Sequence, residues 1–277
     1  MMILEVIITT MNENILRLIN DFFPNQKDVI FLISHQITKH EHNVYQSSID
    51  HFIKKRKDVR YIFFFEKGLS RNRNQSMRVS KGDICLVTDD DIRFKTGAFD
   101  FILQSFKELP YSDIITYKTE FPDGRQYKRY KNHISRHTKR SCMRVSSFEI
   151  AYKRKSIDRV KLRWDEHFGL GGDPYTNHME NIFMVDALNL GLNGYFYPKT
   201  LVIHPFINSG FNYSEHMVFS KGAAFYRMFG NLSYLSNILY AIKKYRDYRK
   251  QMGFLRFCRL SYLGSRDFKK RIHIGEI

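Results

Sequence analysis

Cysteine is scarce in this chain: three in 277 residues, at Cys85, Cys142 and Cys258, far apart and without a CxxC spacing. That pattern excludes a zinc-ribbon site and a disulfide framework, and it fits a reducing cytoplasm. His35, His40, His42 and His51 add no zinc-ligand spacing with those thiols and read as surface or core residues. No apolar run reaches the roughly 18 residues needed to span a membrane. The run Ile3–Ile8 is broken by Glu5 and lacks a basic leader, so it reads as a first strand rather than a secretory signal. Internal repeats, low-complexity tracts, and helix-turn-helix, RNP or zinc-finger signatures are missing as well.

Negative charge is also in short supply. Against 45 Lys and Arg stand 28 Asp and Glu, a formal net charge of +17. Such an excess attracts something anionic: nucleic acid, a phospholipid surface or a phosphorylated substrate. Charge alone does not choose among them. Hydrophobic residues at 43% and aromatics at 15% exclude a disordered chain. The length suits one large α/β domain or two small ones.

Apolar strands alternate with amphipathic helices over the first third. Strands are expected at Ile3–Thr10, Val29–Ile33, Val59–Phe65 and Ile84–Thr88. Between them fall a helix capped by Asn12 and ended by Pro24, a helix over Val44–Lys57, and one from a Ser70 cap to Ser80. The pattern predicts an α/β fold with a mostly parallel, doubly wound sheet. Further on, the sequence predicts a helix over Ala98–Leu109, a strand over Asp113–Tyr117 and a basic hairpin or mobile loop over Phe121–Arg144. A strand over Ser147–Tyr152, a glycine-rich loop over Trp164–Gly172 and a helix over Glu180–Asn189 come next. Short strands at Tyr195–Tyr197 and Leu201–Ile203, helices from Ser214 and Ser233, and a basic, aromatic tail complete the chain.

Three consecutive aspartates, Asp89, Asp90 and Asp91, close the fourth strand. In doubly wound sheets ligands sit beyond the carboxyl ends of strands. Asp89 and Asp91, one residue apart, can face one cation, and their hard oxygens suit Mg²⁺ or Mn²⁺; a solvated acidic turn is the alternative. Arg71, Arg73 and Asn74 lie near the start of the preceding helix, where free N–H groups and guanidinium forks suit phosphate, or simply face solvent. Glu180, opening a helix with Asp173 upstream, is either a general base or a carboxylate favoured by the helix dipole. His204 is a metal or phosphate ligand, or structural. Trp164 packs, or stacks on a sugar beside the glycine loop.

Taken in order, these residues resemble the family 2 glycosyltransferases with a GT-A fold. Gly68-Leu69-Ser70-Arg71-Asn72-Arg73-Asn74 is similar to that family's helix ahead of the metal motif, and Thr88-Asp89-Asp90-Asp91 to its DxD motif. Phe168-Gly169-Leu170-Gly171-Gly172-Asp173-Pro174-Tyr175 with Met179-Glu180-Asn181-Ile182-Phe183 resembles the acceptor loop and acidic catalytic motif. Tyr197-Pro198-Lys199 and Ile203-His204-Pro205 resemble the strand and histidine closing the site. Lys221-Gly222-Ala223 and Arg227-Met228-Phe229-Gly230 resemble a tail of bacterial polysaccharide members. The resemblance runs over roughly residues 3 to 230.

It implies a metal-dependent, inverting transfer of a sugar from a nucleotide-sugar, a UDP-sugar first among them, to a glycan or lipid-linked acceptor in cell-surface polysaccharide synthesis. Asp91 would coordinate Mn²⁺ or Mg²⁺, Asp89 would contact ribose or a metal water, and His204 would hold metal or diphosphate. Thr10, Asn12 and Arg73 would line the nucleotide pocket, joined on the donor side by Arg71, Asn74 and Asp90. Glu180 would be the base with Asp173 as reserve, and Trp164, Gly171 and Gly172 would meet the acceptor. Two departures stand out. Ile33-Ser34-His35-Gln36 replaces the family's base-reading Asp-Asp-Gly-Ser run, and Met179-Glu180 keeps a single carboxylate.

The expected layout is a nucleotide-sugar half over residues 1–96, an acceptor and catalytic half over 97–212, and a helical basic extension over 213–277. In that extension Leu235, Ile238, Leu239 and Ile242 share one face beside Lys243, Lys244, Arg246, Arg249 and Lys250. This suits an anionic membrane surface, hence a cytoplasmic protein, peripheral on the inner face of the plasma membrane. Packing on the catalytic domain is the alternative. The rival functions are a nucleotidyltransferase and a basic nucleic-acid-binding protein; nucleic acid is not the expected partner, since unmetallated aspartates repel phosphates.

Overall fold

The computed structural model describes residues 2–38, 42–206 and 213–277. His40, the side chain of His42 and the expected boundary at 212 lie outside the described residues. The strands are β1 (Leu4–Met11), β2 (Val29–Gln36), β3 (Val59–Phe64), β4 (Ile84–Asp89), β5 (Arg93–Phe94), β6 (Ile114–Glu120), β7 (Ser135–Arg136), β8 (Ile150–Lys153) and β9 (Gly194–Ile203). The helices are α1 (Asn14–Asn20), α2 (His42–Lys55), α3 (Leu69–Val79), α4 (Ala98–Glu108), α5 (Lys139–Cys142), α6 (Arg154–Arg159), α7 (Met179–Asn189), α8 (Glu215–Phe229), α9 (Ser233–Tyr248) and α10 (Phe254–His273).

Two compact units divide the chain. The first comprises Met1–Lys67, Arg71–Arg163 and Met184–Ile207 and carries one nine-stranded sheet, ordered β3-β2-β1-β4-β8-β6-β9-β5 with β7 paired to β9. β1, β2, β3 and β4 pair in parallel, whereas β8 runs antiparallel to β4 and β6, so the sheet is mixed. β1 is buried along nearly its whole length, as a central parallel strand requires. β1 is also where strand order turns back, β2 on one side and β4 on the other. In open α/β sheets ligands bind beyond the carboxyl ends of the strands at such a point, here those of β1 and β4. The core combines β1, β2 and β4 with Ile15 and Leu18 of α1 and with Phe99, Ile102 and Phe106 of α4. There Phe23 stacks on Phe31 at 5.7 Å.

Several local expectations are corrected. Asn12 does not cap α1; it takes a left-handed φ of 48° and its amide bonds to Thr38. Ser70 sits inside α3, its hydroxyl donating to the Phe168 carbonyl at 2.6 Å. The segment after β6 is a hairpin only where Glu120 bridges Gln126. Beyond that it folds against Glu149, 2% exposed, with which Lys128 pairs at 2.8 Å and to which the Tyr130 hydroxyl donates at 2.6 Å. A buried carboxylate needs such partners. Residues 147–149 form a 3₁₀ turn, and the strand starts at Ile150. The two short strands expected around Pro198 are one strand, with the register of β6 against β9 slipping opposite the proline, which cannot donate to a ladder.

The second unit comprises Gly68–Ser70, Trp164–Phe183 and Asn208–Ile277. Its helices α8, α9 and α10 pack together, and α10 is a full helix where the sequence suggested only a tail. Phe257, Ser261, Gly264, Ser265 and Phe268 make its buried stripe. The α8–α10 crossing has no room for side chains at two glycines. A Cβ on Gly222 would come within 1.9 Å of the Ser261 carbonyl oxygen, and one on Gly264 within 1.9 Å of that of Phe219. Ser265 then donates to the Gly222 carbonyl at 2.8 Å and accepts from Asn237 of α9 at 2.9 Å.

Candidate active site

In the first unit the aspartates lie where β4 ends, and each meets a different environment. Asp89 Oδ1 accepts from Arg73 at 2.8 Å and from the Thr9 hydroxyl at 3.2 Å. Arg73 also donates to Ser147 at 3.1 Å and is almost wholly buried. Asp90 accepts from Thr10 at 2.5 Å and pairs with Arg17 at 3.2 Å. Burial pushes its carboxyl above the usual range, and the Thr10 bond and Arg17 act against that rise. Asp91 makes no hydrogen bond or ion pair to another residue's side chain among the described residues. Burial, then the charge of Asp89, raise its carboxyl, while His204 lowers it.

His204 sits between the rings of Phe148 and Tyr127, at 4.8 and 5.1 Å. Its Nδ1 lies 2.7 Å from the Pro205 carbonyl, which can only accept, so Nδ1 carries a proton and Nε2 is the ring nitrogen not used in that bond. Carboxylate oxygens such as those of Asp89 and Asp91 are the donor chemistry of a hard divalent cation. Among the described residues no three ligand-type side chains converge on one point. Mg²⁺-like sites of one or two carboxylates completed by substrate phosphates and water ask for no such cluster.

Asn74 is buried in α3 and Arg71 is exposed on it. His35, in the run Ile33-Ser34-His35-Gln36, is buried near the end of β2. Its Nε2 donates to the Asn12 carbonyl at 2.9 Å, and its Nδ1 accepts from the Tyr61 hydroxyl at 2.9 Å. Sequence reasoning missed Arg17, Ser147 and Glu149; the only signal for Arg17 was a cation on the helix leaving β1.

The second unit holds the remaining candidates. Trp164 is 2% exposed and stacked on Phe183 at 4.1 Å, so its ring faces are taken and it packs rather than meeting a sugar. Gly171 has a left-handed φ of 72°, and Gly172 is closed in by the backbone of Phe168, Gly169 and Tyr175. Asp173 is exposed, and Glu180 lies half-buried in the first turn of α7.

A model of glycosyl transferase family 2 matches residues 5–171, more than half of the chain. The chain belongs to glycosyl transferase family 2. As a member of that family it is a glycosyltransferase. The fold agrees. The crystal structure of S. aureus TarS 1–349 with UDP-GlcNAc superposes with a TM-score of 0.63 at 12% identity, covering 99% of this chain and 92% of that one. The UDP complex of the same fragment gives 0.60 at 12% identity with the same coverage. The longer S. aureus TarS chain gives 0.58 at 14% identity over 89% of this chain, which spans only 44% of it. No curated protein matches the sequence. The family 2 fold is thus GT-A, a mixed α/β sheet followed by a helical C-terminal region.

Proposed function

We propose that this family 2 enzyme is an inverting glycosyltransferase that moves a sugar from a nucleotide-sugar, a UDP-sugar first among them, to a hydroxyl of a glycan or lipid-linked acceptor in cell-surface polysaccharide synthesis. One observation carries the reading: at the end of β4, Asp89 and Asp90 are held by Arg73, Thr9, Thr10 and Arg17, and Asp91 keeps its carboxylate out of any such bond among the described residues. The UDP-GlcNAc and UDP complexes of TarS support the choice of donor.

Asp91 and Asp89, with His204 Nε2, would hold Mn²⁺ or Mg²⁺. Bound there, the cation would supply charge neutralisation for the departing diphosphate, which counts toward rate because that charge grows in the transition state. Arg73 holds Asp89 in place, Thr10 holds Asp90, and Arg71, Asn74 and Asn12 serve the donor side. Glu180 takes the proton of the attacking hydroxyl, with Asp173 in reserve, and attack from the face opposite the leaving group inverts the anomeric centre. A positioned base of this kind contributes roughly 10²- to 10⁴-fold. Gly171 and Gly172 offer backbone to the acceptor.

The enzyme works at the inner face of the plasma membrane in this reading. No helix among the described residues is long and apolar enough to cross a membrane. Yet Leu235, Ile238, Leu239 and Ile242 are 46–60% exposed along α9, beside Lys243 and Arg246. An apolar stripe flanked by cations suits an anionic lipid surface. Leu239→Glu with Ile242→Glu should abolish binding to phosphatidylglycerol vesicles; unchanged binding refutes the attachment.

A thermal-shift screen of nucleotide-sugars with Mn²⁺ identifies the donor, and product analysis tests the reaction. Release of nucleoside diphosphate and an inverted linkage are expected. Pyrophosphate, or a retained anomeric configuration, overturns the proposal.

A further inference from the structure

The turn ahead of α7 is tied to α8 at three successive residues. The Thr176 N–H donates to the Ser220 hydroxyl at 3.2 Å, and the Asn177 amide to the Met217 carbonyl at 3.0 Å. Lys221 Nζ lies 2.6 Å from His178 Nε2. His178 has a φ of 68°, a conformation that non-glycine residues rarely adopt and that its surroundings must hold. Its Nδ1 is 2.7 Å from Asn181 Oδ1. An amide oxygen only accepts, so Nδ1 carries the proton and Nε2 receives the lysine's. One chain of hydrogen bonds therefore runs from Lys221 through His178 to Asn181, the residue after Glu180.

Lys221 is only 9% exposed, on the buried face of α8 with Val218, Ala224 and Phe225. Its ammonium stands 4.4 Å from the Tyr240 ring centroid. A buried ammonium is costly unless something anionic answers it, and a methionine would pack there at less expense. The groups around it are few. His178 is kept neutral, its pKa pushed down to about 3 by burial and then by Lys221. Lys244 of α9 opposes the ammonium, and Glu180 is the acidic group that favours it. Burial brings Lys221 down to about 7.

We propose that Lys221 is the positioning and charge-setting residue of the catalytic base: it fixes the turn that presents Glu180 and holds the Glu180 carboxylate ionised. This rests on the reading of Glu180 as the base. Coulomb attraction works both ways, so the carboxylate that favours the lysine's proton is itself made a weaker binder of one.

The test is the pH dependence of kcat/KM for Lys221→Met, Lys221→Gln and Lys221→Arg, with Glu180→Gln alongside. Lys221→Gln keeps a donor for His178 and removes the charge. In the Met and Gln variants the acid limb should move up by about one pH unit, so that below it activity falls about tenfold relative to the parent. Lys221→Arg should restore the limb, and the donor KM should stay unchanged in all three. Lys221→Met should melt no lower than the parent, since it removes a buried charge; if it does not fold, the limb of Lys221→Gln decides. An unmoved limb with an inactive Glu180→Gln overturns the role of Lys221 and leaves the base intact. Near-normal turnover of Glu180→Gln overturns both.

Discussion

Arg73 and Asp89 form an ion pair at 2.8 Å in which the guanidinium is 1% exposed and the carboxylate 31%. The cation is the buried end of the pair and the anion its exposed end. Arg73 and Thr9 both bind Oδ1, so Oδ2 takes neither bond and is turned by the grip on its neighbour.

Arg73→Met should therefore lower stability and donor affinity together. Breaking a buried pair costs several kcal/mol when the remaining charge is fully buried; Asp89 is part-exposed, so about 2 kcal/mol is expected. Chemical denaturation and the donor KM check this, and a change in KM without any loss of stability would contradict the anchoring role.

Asp91→Asn should leave the fold intact and lower turnover by roughly 10²-fold, the scale of one lost electrostatic group in a transition state. Because burial and Asp89 disfavour its charge, removing that charge should not lower the melting temperature. Chelation should abolish the activity of the parent, with Mn²⁺ or Mg²⁺ restoring it in the parent but not in the variant.

Acid should destabilise the first unit through His137. Burial, then Lys131 and Lys128, bring its pKa from 6.5 to about 4 while Thr116 and Ser141 bond its ring at 2.9 and 3.0 Å. The unfolded chain binds the proton first as pH falls. Stability is thus full above about 6.5 and is lost on the way down to about 4, by about 3 kcal/mol. His178 is depressed in the same direction and adds its own slope. His137→Gln should flatten the pH dependence of the unfolding free energy without abolishing it.

Gly264→Ala places a methyl where the Phe219 carbonyl oxygen already lies. Overpacking of this kind costs about 1–3 kcal/mol, and more where backbone must move. A thermal melt of the variant should shift downward by several degrees.

The parallel half of the sheet was legible because strands buried on both faces, such as β1, read as unbroken apolar runs, and glycines and prolines punctuate the helices between them. The antiparallel half was less so. Pro198 reads as a break in a single chain of residues, whereas a register slip against β6 absorbs it. The basic segment after β6 reads as solvent-facing because Glu149, the carboxylate it packs on, lies far along the chain. The family resemblance was legible in the ordered motifs around Gly68–Asn74 and Thr88–Asp91, and the family match over residues 5–171 bears it out. The link from Lys221 to His178 was not legible, since His178 fits no motif, the tail motif holding Lys221 says nothing of a partner, and only the fold brings the two together. A lysine in the middle of an apolar helical face was the one available hint.

The glycine-to-glycine crossing of α8 and α10 has an effect beyond packing. α8 grips the turn before Glu180, and α10 presses on α8 with no side chain between the backbones at Gly222 and Gly264. A protease cut near Gly253 would take the brace from α8 and so loosen Glu180, the proposed base, silencing the enzyme while its sheet stays whole.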